Sequence, residues 1–331
     1  MSNLVDIIVT HYKEKSIILE RLLKSINEQL EFDFNELKII LVSDGAPAIL
    51  GKDLRKKYEK LNIVYILNPV NQGPGLARQV GLDHSEAKYV TFYDCDDEMF
   101  GNYVLHDMIN RMEENNDNVL VTSVLEEVMM NGQMMGYKHQ PNFLQGLHGL
   151  FIKRQYLLDM GIKFHENLRH AEDSYFYRCV CYTTQIDAMD YVTYKWNYND
   201  ESIVRRTRDK DYSVVAFEDH MNQIEYTYDF VNKVGCAYGQ DFIDIYLIKS
   251  IFGLHMLIES VYFSAPNQVR EQIQYSLNVK RLYKKYKEVF DKYDEKTLKL
   301  HFADQYLALV KTNPEIKMPK DVMEFVNSYR D

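Results

Sequence analysis

The chain has 331 residues, of which 46% are hydrophobic and 27% charged, and a formal net charge of −10. Those proportions describe a globular protein with a sizeable core and exclude a disordered or collagen-like chain. The negative balance weighs against bulk attraction to nucleic acid or anionic lipid. The four cysteines (Cys95, Cys179, Cys181, Cys236) lack zinc-site spacing and suggest a reducing compartment.

No basic region opens the chain, and the apolar run Ile7 to Val9 is too short for a signal peptide. The most apolar segment, Phe242 to Phe263, is interrupted by Asp244, Lys249, His255 and Glu259, whereas a spanning helix needs about 20 mostly apolar residues. A cytoplasmic protein is expected. A peripheral membrane contact and a homo-oligomer stay open.

In chain order, Leu4 to Val9 reads as a buried strand that runs into Thr10-His11-Tyr12-Lys13. A helix follows over Ile17 to Leu30, where Ile18, Leu19, Leu22, Leu23, Ile26 and Leu30 recur at helical spacing. Leu37 to Val42 predicts a second strand, closed by Ser43-Asp44-Gly45. Ile49 to Leu61 predicts a helix and Ile63 to Leu67 a third strand. After Asn71-Gln72-Gly73-Pro74-Gly75 comes a helix from Leu76 to His84. A fourth strand, Tyr89 to Tyr93, then ends in Asp94, Asp96, Asp97 and Glu98. Strands alternating with helices over some ninety residues predict a parallel sheet wound with helices.

The end of the fourth strand is where chemistry concentrates. Three crowded carboxylates repel one another, and a hard divalent cation such as Mg²⁺ or Mn²⁺ compensates them while also holding phosphates. An acidic surface turn fits an isolated Asp-x-Asp as well. Asp44-Gly45 is first a turn signal, but it also sets a carboxylate where a ribose hydroxyl or a base can meet it. The loop 71–75 brings Asn71, Gly73 and a helix N-terminus close by, with Arg78 one turn in, able to meet phosphate. A purely structural loop fits the same residues. No P-loop and no Gly-x-Gly-x-x-Gly follows the first strand.

Taken together, Val5 to Tyr12, Ile39 to Gly45, Asn71 to Gly73 with Ala77-Arg78, and Phe92 to Asp97 resemble the motifs of family 2 glycosyltransferases, over roughly residues 1 to 205. The resemblance implies the GT-A fold, an α/β Rossmann-like, mostly parallel sheet flanked by helices. It also implies a nucleotide diphosphate sugar donor (usually a UDP-sugar), a Mn²⁺ or Mg²⁺ ion and an inverting reaction. On that resemblance Thr10, Tyr12 and Asp44 line the nucleoside pocket, with Asn71 and Gly73 beside it. Arg78 lies near the base or the phosphates, Asp94 faces ribose and donor, and Asp96 binds the metal with Asp97 in reserve. The first strand departs from the usual Pro-Thr/Ala-Tyr-Asn, and Ser43 replaces the first acid of Asp-Asp-Gly-Ser.

Further along, Leu105 to Met112 predicts a helix, Asn118 to Leu125 a strand, and Asn131-Gly132 a hairpin turn. His148 to Arg154 matches the family's small-residue strand ending in two basic residues. His148 can touch donor or acceptor, or simply pack. Glu172-Asp173 suits the positive start of a helix. The resemblance makes Asp173 the general base for the acceptor hydroxyl and gives Glu172 contact with donor or acceptor hydroxyls. Trp196, the single tryptophan, suits sugar stacking or the core. Arg205 and Arg206 resemble the family's segment that closes over the diphosphate, although basic residues on a linker read the same way. The expected organisation is a transferase domain at 1–210 and a helical C-terminal domain at 211–331. The expected partners are a nucleotide diphosphate sugar and a glycan or other hydroxyl acceptor. A sugar-phosphate nucleotidyltransferase lacks its Gly-rich phosphate loop here. A non-catalytic carbohydrate-binding protein on a transferase fold would not need these carboxylates.

Overall fold

The computed structural model describes residues 3–143, 145–200, 210–258 and 269–312, together with 316, 323 and 326. The chain divides into two compact units, Met1–Asp209 and Lys210–Asp331.

The first unit begins with β1 (Val5–His11), α1 (Ser16–Asn27), β2 (Leu37–Asp44), α2 (Lys52–Lys57), β3 (Ile63–Asn68), α3 (Pro74–Asp83) and β4 (Tyr89–Asp94). β1, β2 and β4 are buried along nearly their whole length, as unbroken apolar strands covered on both faces should be. They pair in parallel, and β3 joins β2 in parallel. Helix α1 buries Leu19, Leu22, Leu23 and Ile26 against one face of the sheet core. The register decides what meets at the carboxyl ends. Thr10 lies opposite both Val42 and Asp94, and Asp44 lies opposite Asn68. Thr10 and Asp94 are thus level, with Asp44 two residues further along β2, at the edge where open α/β sheets bind ligands.

Beyond β4 the sheet becomes mixed. β5 (Glu98–Met99), α4 (Val104–Asn115), β6 (Val119–Met130), β7 (Gln133–His139), β8 (Leu150–Lys153), α5 (Arg154–Met160), α6 (Glu172–Tyr182) and β9 (Asp187–Trp196) complete the unit. The strand order is β3-β2-β1-β4-β8-β6-β9-β5, with β7 paired to β6. β8 runs antiparallel to both β4 and β6, while β6 and β9 are parallel. The β6–β7 turn has Asn131 at φ 51° and Gly132 at φ 79°, the two positive-φ residues that Asn-Gly supplies to a tight hairpin.

One helix is shorter than its pattern. The predicted stretch Ile49 to Leu61 yields only α2, because Gly51 sits extended at ψ 170° and the chain leaves helical geometry at Tyr58. Leu50, Tyr58 and Leu61 are nevertheless buried, so the apolar spacing served a folded loop as well as a helix.

The second unit consists, in its described residues, of α7 (Lys210–Val234), α8 (Gln240–Leu257), α9 (Val269–Lys285), α10 (Lys287–Phe290) and α11 (Glu295–Thr312). Val231, Leu247, Ile251, Leu282 and Phe302 are fully or almost fully buried. Asp244, also buried, accepts from Tyr228 and Gln240 at 2.8 Å and from Lys292 at 2.7 Å, which satisfies a charge that would otherwise be costly to bury. No helix among the described residues is long and apolar enough to cross a membrane.

Gly45 fixes the turn after β2. It stands at φ +72°, and a Cβ there would lie 2.3 Å from the backbone nitrogen of Asn71. Gly45→Ala is therefore expected to lower stability by about 2 kcal/mol or more in urea unfolding. A midpoint equal to the wild type would show that the loop 71–73 does not need this close approach.

Candidate functional site

The loop after β3 is built around Asp44. Its Oδ1 accepts from the Gln72 amide at 2.9 Å, and its Oδ2 accepts from the Gly73 amide and from Asn71 Nδ2, both at 2.9 Å. This side chain is 3% exposed. From the end of β2 it shapes the loop after β3. Asn71 in turn accepts from Arg169 at 2.6 Å through its side-chain oxygen. Gly73, at φ +94°, caps α3 and would bring a Cβ within 3.3 Å of Arg169 Cγ.

One turn into α3, Arg78 is buried and bridges two acids. Its Nη2 donates to Asp94 Oδ1 at 2.6 Å, and its Nη1 to Glu172 Oε1 at 3.0 Å. The second contact requires α3 and α6 to approach closely. A Cβ on Gly75 would stand 2.6 Å from Glu172 Cγ. Burial works against the Arg78 charge, but Asp94 and Glu172 outweigh it and hold the guanidinium above its ordinary value. Burial likewise opposes the Asp94 charge, yet Arg78 and His148 draw its carboxyl below the ordinary range. Glu172 is pushed up to about 8, chiefly by burial and then by the neighbouring Asp173 charge, against the pull of Arg78.

The remaining carboxylates lack such compensation. Asp96 accepts from Asn199 Nδ2 at 2.7 Å, and Asp97 accepts from the Tyr194 hydroxyl at 2.5 Å and the Asn197 amide at 2.9 Å. Among the described residues no cation pairs with either side chain. Burial raises both carboxyls, and neighbouring acids (Asp94 at Asp96; Asp96 and Asp94 at Asp97) raise them further. A set of hard oxygens with one arginine among them fits a divalent cation. Among the described residues the donor atoms that converge are those of Asp94, Asp97 and His148, within 4.8 Å of one another. Asp96 is turned toward Asn199 instead. His148 is half-buried, stacks on Trp196 at 4.8 Å and meets the edge of Tyr194 at 4.9 Å. Burial lowers its pKa against the pull of Asp94 and Asp173.

Asp173 opens α6 beside Glu172, and its Oδ1 accepts from the Ser174 amide at 2.6 Å. The helix packs through Phe176 against Phe164, 4.1 Å away and 5° from parallel, and through both rings onto Phe92 of β4. This apolar floor fixes the acid pair relative to Asp94. Glu172 is only 6% exposed and committed to Arg78, so its direct neighbour is the arginine. Thr10 is half-buried, and Tyr12 is 38% exposed with Lys13 over its ring at 4.6 Å. Arg205 and Arg206 lie outside the described residues.

Several contributors escaped the sequence reading. Arg169, Tyr194, Asn197 and Asn199 reach Asn71, Asp96 and Asp97 from about a hundred residues away, a relationship that no local spacing encodes. Beside Tyr12, the buried His11 gives Nε2 to a 2.9 Å contact with the Tyr65 hydroxyl.

Residues 6–169 match the family described as Glycosyl transferase family 2. A relative from Haemophilus influenzae named as an uncharacterized glycosyltransferase is 29% identical over 120 residues, 34% of this chain and 43% of that one. The Bacillus subtilis minor teichoic acid biosynthesis protein GgaB is 25% identical over 186 residues, 51% of this chain and 20% of its own length. The chain thus spans less than half of each of these relatives. Among solved structures, S. aureus TarS 1-349 in complex with UDP-GlcNAc superposes with a TM-score of 0.65 at 19% identity, covering 84% of this chain and 81% of that one. At that identity the likeness establishes the fold, GT-A.

The Arg78 bridge makes a pH test. Glu172 titrates near 8 in the fold against an ordinary 4.5, so the stability it contributes is complete below about 4.5 and lost as pH rises through 8. Urea unfolding should show the wild type losing stability relative to Glu172→Gln across that window. A difference that is flat with pH, or that grows, would refute the assignment.

Proposed function

The chain belongs to glycosyl transferase family 2 through residues 6–169, and from that premise we propose that this glycosyltransferase moves a sugar from a UDP-sugar, with inversion, to a hydroxyl of a glycan. The observation that carries the reading is the gathering of Asp94 and the Glu172-Asp173 pair around Arg78. The nucleoside pocket is assigned to Thr10, Tyr12 and the Asp44 loop with Asn71 and Gly73. The UDP-GlcNAc complex of the TarS structure, which shares the fold, supports the choice of uridine donor. The teichoic acid role in GgaB's name supports a cell-surface acceptor.

Asp173 acts as the base. Its carboxylate takes the acceptor O–H proton as that oxygen bonds to the anomeric carbon and the bond to the diphosphate breaks. The backbone amide of Ser174 holds one carboxylate oxygen at 2.6 Å and leaves the other for the proton. Arg78 keeps Asp94 ionised and fixed toward the donor. Asp94 and Asp97, with His148 beside them, are the groups that would hold Mn²⁺ or Mg²⁺, joined by Asp96 on turning from Asn199. Such an ion supplies positive charge to the departing diphosphate. Arg205 and Arg206 are assigned to the same diphosphate.

Nucleotide diphosphate release from a panel of nucleotide sugars tests this reading. With Mn²⁺ the wild type should hydrolyse one donor slowly, and chelator or Asp96→Ala should abolish it. Once an acceptor is found, Asp173→Asn should lower the transfer rate by about 10²–10⁴-fold. Turnover that survives chelator would remove the metal from the account, and transfer undiminished in Asp173→Asn would remove the base.

A further inference from the structure

We propose that the β6–β7 ribbon and the segment after it form an acceptor-binding arm, in which the ring of Phe143 stacked on His139 is a platform for a saccharide ring of the acceptor glycan. This rests on the transferase reading and names the acceptor side of the same site. Phe143 is 70% exposed, yet its ring is oriented. It lies 5.2 Å from the His139 ring and 17° from parallel, and His139 Nε2 sits 2.7 Å from Glu126. A single exposed apolar side chain needs no explanation, but this one is fixed and belongs to a strained segment. Asn142 and Gln145 both stand at positive φ, 68° and 49°, a conformation that non-glycine residues keep at functional sites when their surroundings enforce it. Here the surroundings do. The Tyr177 hydroxyl donates to Asn142 Oδ1 at 2.8 Å, and Arg178 donates to Gln145 Oε1 at 3.1 Å.

The same segment leads to the reacting groups. A Cβ on Gly146 would lie 3.5 Å from both Asp173 Oδ2 and His148 Nδ1. Three residues of chain, at most about 11 Å between Cα atoms, therefore separate Phe143 from Gly146, the glycine beside Asp173. Beside this segment is a small recess of about 10 Å³, the size of one water, lined among others by Gln140, Asn142, Gln145, His148 and Tyr177. Amides, an imidazole and a phenol offer both donors and acceptors to sugar hydroxyls, and an aromatic face takes the apolar face of the ring. Charge decides against a lipid surface. Lys138 is the lysine of the ribbon and pairs with Asp190 at 2.6 Å, while Glu126 and Glu127 add negative charge. Anionic lipid is drawn to clusters of lysine and arginine.

The test compares wild type, Phe143→Ala and Phe143→Tyr. Binding of soluble hexose and N-acetylhexosamine oligosaccharides is followed by fluorescence of the single tryptophan, Trp196, alongside donor hydrolysis without acceptor and the unfolding midpoint. Phe143→Ala should weaken oligosaccharide binding, and raise the acceptor KM, by about tenfold. Donor hydrolysis and the midpoint should stay at the wild-type level, and Phe143→Tyr should restore binding. Oligosaccharide binding equal in wild type and Phe143→Ala, or absent from the wild type, overturns the proposal. So does a substitution that abolishes flotation with anionic phospholipid vesicles, or self-association, while oligosaccharide binding persists. Phe143-dependent binding by a wild type that hydrolyses no nucleotide sugar would sustain the platform and remove the transferase reading, so the two failures are distinguishable.

Discussion

Acids gathered at strand and helix ends repel one another, and the first unit is arranged around a buried cation, Arg78, that meets two of them. Arg78 spans Asp94 from the sheet and Glu172 from α6, so it ties the end of β4 to the acid pair. Removing the ionised partner of such a buried cation, here Asp94, typically costs about 3–5 kcal/mol, because the arginine charge is left uncompensated. Much else in the unit serves that bridge. Gly75 lets α3 and α6 close on each other. Gly81 lets α3 settle on β1, where a Cβ would meet Ile8 Cγ2 at 2.5 Å. The stacked rings of Phe92, Phe164 and Phe176 seat α6 on the sheet.

Asp44 shows the same economy at the end of β2. A carboxylate that accepts two loop amides and a side-chain amide pre-organises the loop after β3 before any ligand arrives. Asp96 and Asp97 are different. Their side-chain hydrogen bonds come from neutral groups, and burial, with the neighbouring acids, raises their proton affinities. That contrast separates acids compensated within the fold from acids that are not.

Much of this was legible in the sequence, for a physical reason. Buried parallel strands must be apolar throughout, so their polar ends stand out, and Asp44, Asp94, Asp96 and Asp97 announced themselves. The Asn131-Gly132 turn was legible because few dipeptides accept two positive φ angles. Pairing order was not. The local pattern of Leu150–Lys153 could not say that this strand would insert antiparallel between β4 and β6. The partner of Glu172 was equally hidden, since Arg78 lies ninety-four positions away. Ile49 to Leu61 misled because apolar residues at helical spacing can be buried from a loop as well as from a helix.

The central claim is that the acids around Arg78 form a metal-assisted nucleotide diphosphate site. Titration calorimetry of UDP into the whole chain, with Mn²⁺ and again with chelator, tests it most directly. One-to-one binding that weakens by tenfold or more, about 1.4 kcal/mol, when the metal is withdrawn is the predicted result. UDP binding that is absent, or identical with and without metal, would contradict it.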